Sequence, residues 1–86
     1  MKLVDLLNES DHEVWFHIMP EDDDHFDLWS ADYHGGHESA MEDVEPYLER
    51  EIGGDGFFIV ERKHPELNNR KVPMICVPLM GGTHGV

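Results

Sequence analysis

The amino-acid sequence predicts an α+β protein with a four-stranded, largely antiparallel sheet in the order α-β-β-α-β-β and one main helix packed on one face. Three observations support this fold class. Apolar residues recur at helical spacing over residues 2–9 and 39–52, short runs rich in β-branched and aromatic residues lie between and after them, and clusters of Gly, Pro, Asn and Asp separate the runs. The 86 residues leave room for a single domain, residues 1–86, because a second core needs at least about 50 residues of its own.

The first half of the chain is predicted to form a short helix followed by a β-hairpin. Three leucines at helical spacing indicate a helix over residues 2–9. Residues 14–19 are rich in β-branched and aromatic side chains and end at Pro20, and residues 26–31 repeat this composition. Because the acidic residues 21–24 lie between the two runs, the hairpin is expected to have an acidic turn.

The main helix is predicted over residues 39–52. Ser39 and Glu42 have the Ser-x-x-Glu spacing in which the two side chains cap the free N–H groups of a helix start. Pro46 has no N–H to donate, so it is expected either to kink this helix or to lie in the first turn of a shorter one. The residues expected to face the core recur three or four positions apart and are Met41, Val44, Leu48 and Ile52.

The last two strands are predicted at residues 57–60 and 72–80. The first run is apolar on both faces, which is typical of a central strand. The second contains Pro73 and Pro78, each of which removes a hydrogen-bond donor, so this strand is expected at an edge of the sheet. Residues 81–86 offer little that could hold them in place, and a mobile tail is expected there.

Negative charge is the most unusual property of the composition. The chain has 19 Asp and Glu against 6 Lys and Arg, for a net charge of −13. This charge disfavours nucleic acid and membranes as direct partners and favours basic proteins. The longest apolar run has four residues, far short of the roughly 20 that span a membrane, and the lone Cys76 cannot form an intrachain disulfide. A cytoplasmic protein is expected.

A row of four carboxylates is predicted along one side of the main helix. At about 100° per residue, Glu42, Glu45 and Glu49 fall within about 40° of Glu38. Like charges at these spacings repel each other, so the row is expected either to meet a basic partner or to be a solvated face without one. The hairpin extends this predicted partner-binding surface through Glu21, Asp22, Asp23, Asp24 and Asp27, with Trp29 as its aromatic anchor.

A metal site is the alternative for a chain with seven histidines. His34 and His37 lie three residues apart beside Glu38, and His25, Cys76 or His84 could complete a set of zinc ligands. Scattered surface histidines are the plainer interpretation, because no paired ligand spacing occurs elsewhere. No serine or cysteine lies in a nucleophile motif, and the sequence predicts neither an enzyme nor a cofactor.

The order of segments resembles that of small acidic inhibitors that bacteriophages make against host enzymes. The shared pattern is an aromatic strand at residues 14–19, an acidic turn, a second strand at 26–31, an acidic amphipathic helix at 39–52 and a strand ending in basic residues at 57–63. The T7-type inhibitor of bacterial RNA polymerase and several anti-CRISPR proteins are similar in size and charge. The resemblance implies an acidic protein that occludes a basic, nucleic-acid-binding surface.

Charge and resemblance together favour a non-enzymatic inhibitor of phage or mobile-element origin. It is expected to bind a basic host protein, a nucleic-acid-binding enzyme or complex, by charge mimicry in the host cytoplasm. Three alternatives stay open. An immunity protein or antitoxin against a basic nuclease would need the same charge, a small His-rich metal-binding module or metal-dependent enzyme would use His34, His37 and Cys76, and a phage structural or assembly protein would self-associate.

Overall fold

The structure, a computed structural model, describes residues 1–54 and 56–81. Within these residues the fold is α+β, with one four-stranded sheet and three α-helices. The elements are α1 (Leu3–Glu9), β1 (Trp15–Pro20), β2 (Phe26–Trp29), α2 (Ser30–His34), α3 (Glu38–Val44), β3 (Phe58–His64) and β4 (Arg70–Leu79). Short 3-10 turns cover Glu45–Tyr47 and Pro65–Leu67.

The sheet is mixed, with the strand order β2-β1-β4-β3. β1 pairs antiparallel with β2, and β3 pairs antiparallel with β4. β4 also lies beside β1 and runs parallel to it, from the pair Trp15–Met74 to the pair Pro20–Leu79. The prediction of a largely antiparallel sheet is therefore wrong at the central pairing. The strand residues alone do not determine this pairing, because a helical connection can place the second hairpin beside the first in either orientation.

One face of the sheet carries the hydrophobic core. Alternate side chains of β1, among them Phe16 and Ile18, are buried on this face. Burying a side chain of this size stabilises the fold by about 1.5–3 kcal/mol. Residues from α1 and α3 join the same cluster, whose members are Leu3, Leu6, Leu7, Val14, Phe16, Ile18, Leu28, Ala40, Val44, Ile75, Val77 and Leu79.

The helix predicted over residues 39–52 is shorter than expected. α3 ends at Val44, and the chain continues as a 3-10 turn that has Pro46 near its start. Proline lacks the N–H that the next helical hydrogen bond would need, which explains why the α-helix stops there. α3 begins at Glu38, and no side chain caps its first turn. The predicted cap at Ser39 is therefore wrong.

β2 ends earlier than predicted because the chain turns into α2 at Ser30. The Ser30 side chain is fully buried, and its hydroxyl donates to the carbonyl oxygen of Asp11 at 2.6 Å. The Ser30 N–H donates to the carbonyl oxygen of Val14 at 3.0 Å. Both bonds join the end of β2 to the segment before β1, so they depend on the folded hairpin and not on local composition.

The structure reverses the predicted positions of the last two strands, because β3 is an edge strand and β4 is central. The prolines of β4 are tolerated where a neighbouring strand is absent. The carbonyl oxygen of Pro78 points away from β1 and accepts the Gly53 N–H at 2.9 Å. On this side of β4, pairing with β3 extends only as far as Cys76. Pro73 faces the opposite side, where pairing with β1 starts one residue later, at Met74.

The opposite face of the sheet carries a second set of side chains, which we name the aromatic face. Strand alternation and the registers of the three pairings place its members on the same side. They are Trp15, His17 and Met19 of β1, Asp27 and Trp29 of β2, Phe58, Val60, Arg62 and His64 of β3, and Arg70, Val72, Met74, Cys76 and Pro78 of β4.

No helix in the described part of the chain has the length and apolar character needed to cross a membrane. The mobile tail predicted for residues 81–86 lies outside the described residues, apart from Gly81. The N–H of Gly81 donates to Oε2 of Glu21 at 2.9 Å.

Candidate functional site

The acidic turn between β1 and β2 is tied to the segment that follows α3. Asp22 forms an ion pair with Arg50, with 2.6 Å between Oδ1 and Nη1. The Tyr47 hydroxyl donates to Oδ2 of Asp23 at 2.5 Å. The Arg50 guanidinium also lies 5.0 Å from the centre of the Tyr47 ring, within the range of cation–π contacts. Two of the carboxylates predicted to bind a partner therefore have partners inside the molecule.

These contacts also shift the pKa values of the groups that make them. The Tyr47 hydroxyl, followed by the Asp24 N–H, lowers the pKa of the Asp23 carboxyl. The same hydrogen bond to Asp23 raises the pKa of Tyr47, and the bond to Asp22 raises the pKa of Arg50. Each shift favours the form that the group has at neutral pH: a charged Asp23 carboxylate, a charged Arg50 guanidinium and a neutral Tyr47 hydroxyl.

Glu49 does not belong to the row of helical carboxylates that the sequence predicts. It lies beyond the 3-10 turn, so it does not continue the helix of Glu38. Its Oε1 is 2.9 Å from Nζ of Lys2, and this contact raises the pKa of Lys2. The prediction of four carboxylates on one helix is therefore wrong at its fourth position.

Three of the predicted carboxylates remain on one helical stretch. Glu38 and Glu42 belong to α3, and Glu45, which starts the 3-10 turn, keeps helical backbone angles of φ −51° and ψ −43°. All three are exposed, and none has a hydrogen bond or ion pair from its side chain within residues 1–54 and 56–81. We name Glu38, Glu42 and Glu45 the acidic helix face.

A cleft of about 570 Å³ is lined by residues of α3, β2 and the end of β3. We name the rings of Trp15, Trp29 and His64, which lie along it, the aromatic wall. The ring centres are 4.8 Å apart for the two tryptophans, 5.0 Å for Trp15 and His64, and 4.4 Å for Trp29 and His64. The sequence-predicted anchor, Trp29, is thus part of a packed aromatic group at a cavity.

A charged group lies beside the aromatic wall. Arg62 Nη1 donates to Oδ2 of Asp27 at 2.6 Å, and its guanidinium is 4.5 Å from the centre of the Trp15 ring. His17 Nδ1 lies 2.8 Å from Oδ1 of Asp27. Burial alone would raise the pKa of Asp27, but the hydrogen bonds with His17 and Arg62 and their charges outweigh it and lower that pKa. Asp27 is therefore held as a carboxylate and is already paired.

Replacing Asp27 by Asn is expected to make the unfolding free energy less sensitive to acid. A carboxyl with a lowered pKa in the folded state binds fewer protons there than in the unfolded chain. It therefore stabilises the fold above about pH 4, where unfolded aspartates titrate, and this contribution is lost as the pH falls through the lowered value. Urea unfolding over a pH series should show that the free energy of unfolding falls less at acidic pH for Asp27→Asn than for the wild type.

Asp24→Asn is the matched control, because Asp24 is exposed and has no ion pair within the described residues. It should keep the wild-type dependence of unfolding free energy on pH. If Asp27→Asn also keeps the wild-type dependence, the contacts of Asp27 with Arg62 and His17 do not contribute to stability.

The remaining charge along the cleft is mostly negative. Asp32 of α2, Asp43 of α3 and Glu66 contribute carboxylates to the lining. Arg62 is the one Lys or Arg in the described lining, and it already pairs with Asp27. Oδ1 of Asp32 lies 3.9 Å from Nδ1 of His37, whereas Asp43 and Glu66 have no ion pair within the described residues. The cleft therefore combines aromatic rings with an excess of carboxylates, and both attract a cationic group.

Two nitrogen atoms of the aromatic wall lack partners in the described part of the chain. His64 is buried, and its Nδ1 accepts the Glu66 N–H at 3.1 Å, so a neutral ring carries its proton on Nε2. No described group bonds to that Nε2. Nε1 of Trp15 is buried and has no hydrogen-bond partner. The aromatic wall therefore has two N–H groups, Nε1 of Trp15 and Nε2 of His64, that donate to no described residue.

The residues of the alternative metal site lie in different parts of the fold. His34 ends α2 and His37 precedes α3, whereas Cys76 is buried in β4 and pairs with His17 of β1. Burial, followed by the charge of Asp27, raises the pKa of Cys76 and favours its neutral thiol. Among the residues that the structure describes, no group of three or more His, Cys, Asp or Glu could hold a metal ion.

No pattern in the sequence indicates that Arg62 and His64 belong to the site. Their alternation with Val60 in β3 places them on one face, but their contact with Trp15 depends on how the strands are ordered. No protein-family model, curated protein or solved structure matches this chain. The acidic helix face and the neighbouring cleft are therefore the basis for assigning a function.

Proposed function

We propose that this protein is a non-enzymatic inhibitor that binds a basic host protein and occludes its nucleic-acid-binding surface by charge mimicry. The acidic helix face carries the proposal. Glu38, Glu42 and Glu45 are exposed on one helical stretch, and within the described residues no cation neutralises them. The same charge repels nucleic acid and anionic membranes, so the partner is a basic protein.

The energetics of the acidic helix face support a binding role. Like charges three or four residues apart on a helix repel by about 0.2–0.5 kcal/mol per pair, and residues 38–49 contain no Lys or Arg to reduce this cost. Neighbouring members are roughly 5–6 Å apart, similar to successive phosphates along one strand. A cationic groove built for a nucleic-acid strand would supply the missing counter-charges.

The cleft supports a second, anchoring contact. A Lys or Arg side chain of the partner that enters it would meet the ring of Trp29 and the carboxylates of Asp32 and Asp43. A carbonyl oxygen next to that side chain could accept from Nε2 of His64. The exposed carboxylates then accelerate the approach of the partner, and the cleft slows its release.

In this proposal the protein is encoded by a phage or mobile element and acts in the host cytoplasm, as the inhibitors that it resembles do. An immunity protein or antitoxin that neutralises a basic nuclease would use the same acidic helix face. The identity of the bound partner distinguishes the two: a polymerase or defence complex supports the first, and a toxic nuclease supports the second.

The proposal is tested with the triple variant Glu38→Gln, Glu42→Gln and Glu45→Gln. The immobilised wild type is expected to capture a basic nucleic-acid-binding protein from bacterial lysate at low salt and to release it at high salt, where exposed charges are screened. The association rate constant of the purified partner should fall about tenfold or more for the triple variant. Added nucleic acid should compete with the wild type for the partner.

A second triple variant, Glu9→Gln, Asp11→Asn and Glu61→Gln, is the matched control. It removes the same charge from exposed carboxylates outside the acidic helix face and should bind the partner nearly as fast as the wild type. Equal losses in both variants would show that net charge, and not the helix face, drives binding. Failure of nucleic acid to compete would show that the nucleic-acid site is not occluded.

A further inference from the structure

β3 leaves one side of its backbone unpaired at the edge of the sheet. Within the described residues it pairs only with β4, over seven consecutive pairs from Phe58–Cys76 to His64–Arg70. The register is constant along the strand, so no bulge interrupts it. A regular edge of this length presents a row of free N–H and C=O groups to any strand that can pair with it.

The two edges of the sheet differ in how they are protected. β2 has four residues, includes the charged Asp27, and has α2 and α3 beside it. β3 has seven residues, and the three at its start, Phe58, Ile59 and Val60, include neither charge nor proline. Natural edge strands usually carry such features because they prevent pairing with other chains. Their absence from this half of β3 points to an edge that another strand covers.

The same half of β3 is apolar on both sides. Ile59 points to the core face, and its neighbours Phe58 and Val60 point to the aromatic face. All of them remain in contact with water, together with the preceding residue. The exposed fractions are 41% for Phe57, 54% for Phe58, 60% for Ile59 and 41% for Val60. A contiguous exposed run of large apolar side chains marks an interaction surface.

The distribution of charge allows a second copy of this chain to use this surface. The chain carries a net charge of −13, yet residues 57–81 contain four basic and two acidic side chains. α3, which carries the acidic helix face, contacts β2 at the opposite edge of the sheet. Two copies that meet through β3 would keep their β2 strands roughly 34 Å apart, at about 4.8 Å per strand. That separation is several Debye lengths at physiological salt.

We propose that β3 pairs antiparallel with β3 of a second copy of this chain, forming one continuous eight-stranded sheet. With the two-fold axis at Ile59, the two β3 strands overlap over Phe58–Val60. The two Ile59 side chains lie opposite each other, and Phe58 of each copy lies opposite Val60 of the other. Such cross-strand pairs of aromatic and β-branched residues are favourable. The contact uses the same surface on both copies, so it closes as a dimer, and both acidic helix faces stay exposed.

Sedimentation velocity of the full chain over a wide range of concentrations tests this proposal. The wild type is expected to shift from monomer to dimer as its concentration rises. The shift should strengthen with salt, because salt screens the repulsion between two acidic copies and leaves apolar contacts intact. Ile59→Lys should remain monomeric, since it places two like charges opposite each other at the axis. A wild type that stays monomeric at every concentration and salt overturns the proposal.

Met80→Lys is the matched control, because it adds the same charge at an apolar residue that is 52% exposed and lies outside β3. It should dimerise like the wild type, and loss of the dimer in both variants would exclude β3 as the interface. Ile59→Lys should keep the wild-type circular dichroism spectrum, since Ile59 is exposed. The salt response separates this proposal from the proposed function: dimerisation strengthens with salt, whereas capture of a basic partner weakens.

Discussion

Ile18→Ala is expected to lower the free energy of unfolding by about 2–5 kcal/mol, whereas Ile59→Ala should lower it by less than about 1 kcal/mol. Both side chains lie in strands and point to the core face, but Ile18 is 0% exposed and Ile59 is 60% exposed. Truncation of Ile18 leaves a cavity in a core shared with α1 and α3. At Ile59 the deleted carbons were already in water, so the remaining cost is the lower strand propensity of alanine.

Urea and thermal unfolding at low protein concentration, where self-association is weak, measure both changes. A chain of this size has a total stability of roughly 4–13 kcal/mol, so Ile18→Ala removes a large part of it. The melting temperature should fall by about 4–8 °C for each kcal/mol lost. Similar losses for the two variants would mean that β3 is buried between strands, which would contradict the strand order described above.

Trp29→Ala is expected to accelerate release of the basic partner by about 30-fold or more, with little change in the association rate. Truncating an anchor at the centre of an interface costs about 2 kcal/mol or more, which corresponds to roughly that factor in affinity. Trp29 lines the cleft, where an inserted cation would meet its ring. Neutralising the acidic helix face should have the opposite kinetic signature, because exposed charges act mainly on the encounter.

Surface plasmon resonance with the purified partner measures both rate constants. Trp29 also packs against Trp15 and His64, so Trp29→Phe is a second variant that retains an aromatic ring in that group. It should release the partner at an intermediate rate, and circular dichroism checks that each variant is folded. A folded Trp29→Ala protein that releases the partner at the wild-type rate would exclude the cleft as the anchor.

Most elements could be located from local patterns. Leucines at helical spacing indicated α1, and runs of β-branched and aromatic residues indicated the strands. Such patterns are informative because they record, within a few residues, which side of an element is buried. Element ends were less predictable: α2 depends on the contact of Ser30 with Asp11, 19 residues away.

The order of the strands could not be predicted from the same patterns. Residues 57–60 are apolar on both faces of the strand. A central strand with both faces buried and an edge strand with both faces exposed can have this same composition. Pro73 and Pro78 indicated an edge strand because each removes a ladder donor. Their actual effect depends on where β1 and β3 begin and end beside β4.

The candidate site was predictable in part. The spacing of Glu38, Glu42 and Glu45 follows from helical periodicity alone, and the three residues remain on one helical stretch. The partners of the turn carboxylates could not be predicted. Asp22 meets Arg50 across 28 residues, and Asp23 meets Tyr47 across 24, because the hairpin turn lies against the segment that follows α3.

Composition and short-range spacing alone account for the strong negative charge and for the segments that are helical or extended, because these properties depend on counts and on close neighbours in the chain. Three features come only from the folded molecule: the parallel pairing of β1 with β4, the internal hydrogen bonds and ion pairs of Asp22, Asp23 and Asp27, and the exposure of β3 at an edge. Each of them depends on contacts between residues that are distant in the sequence.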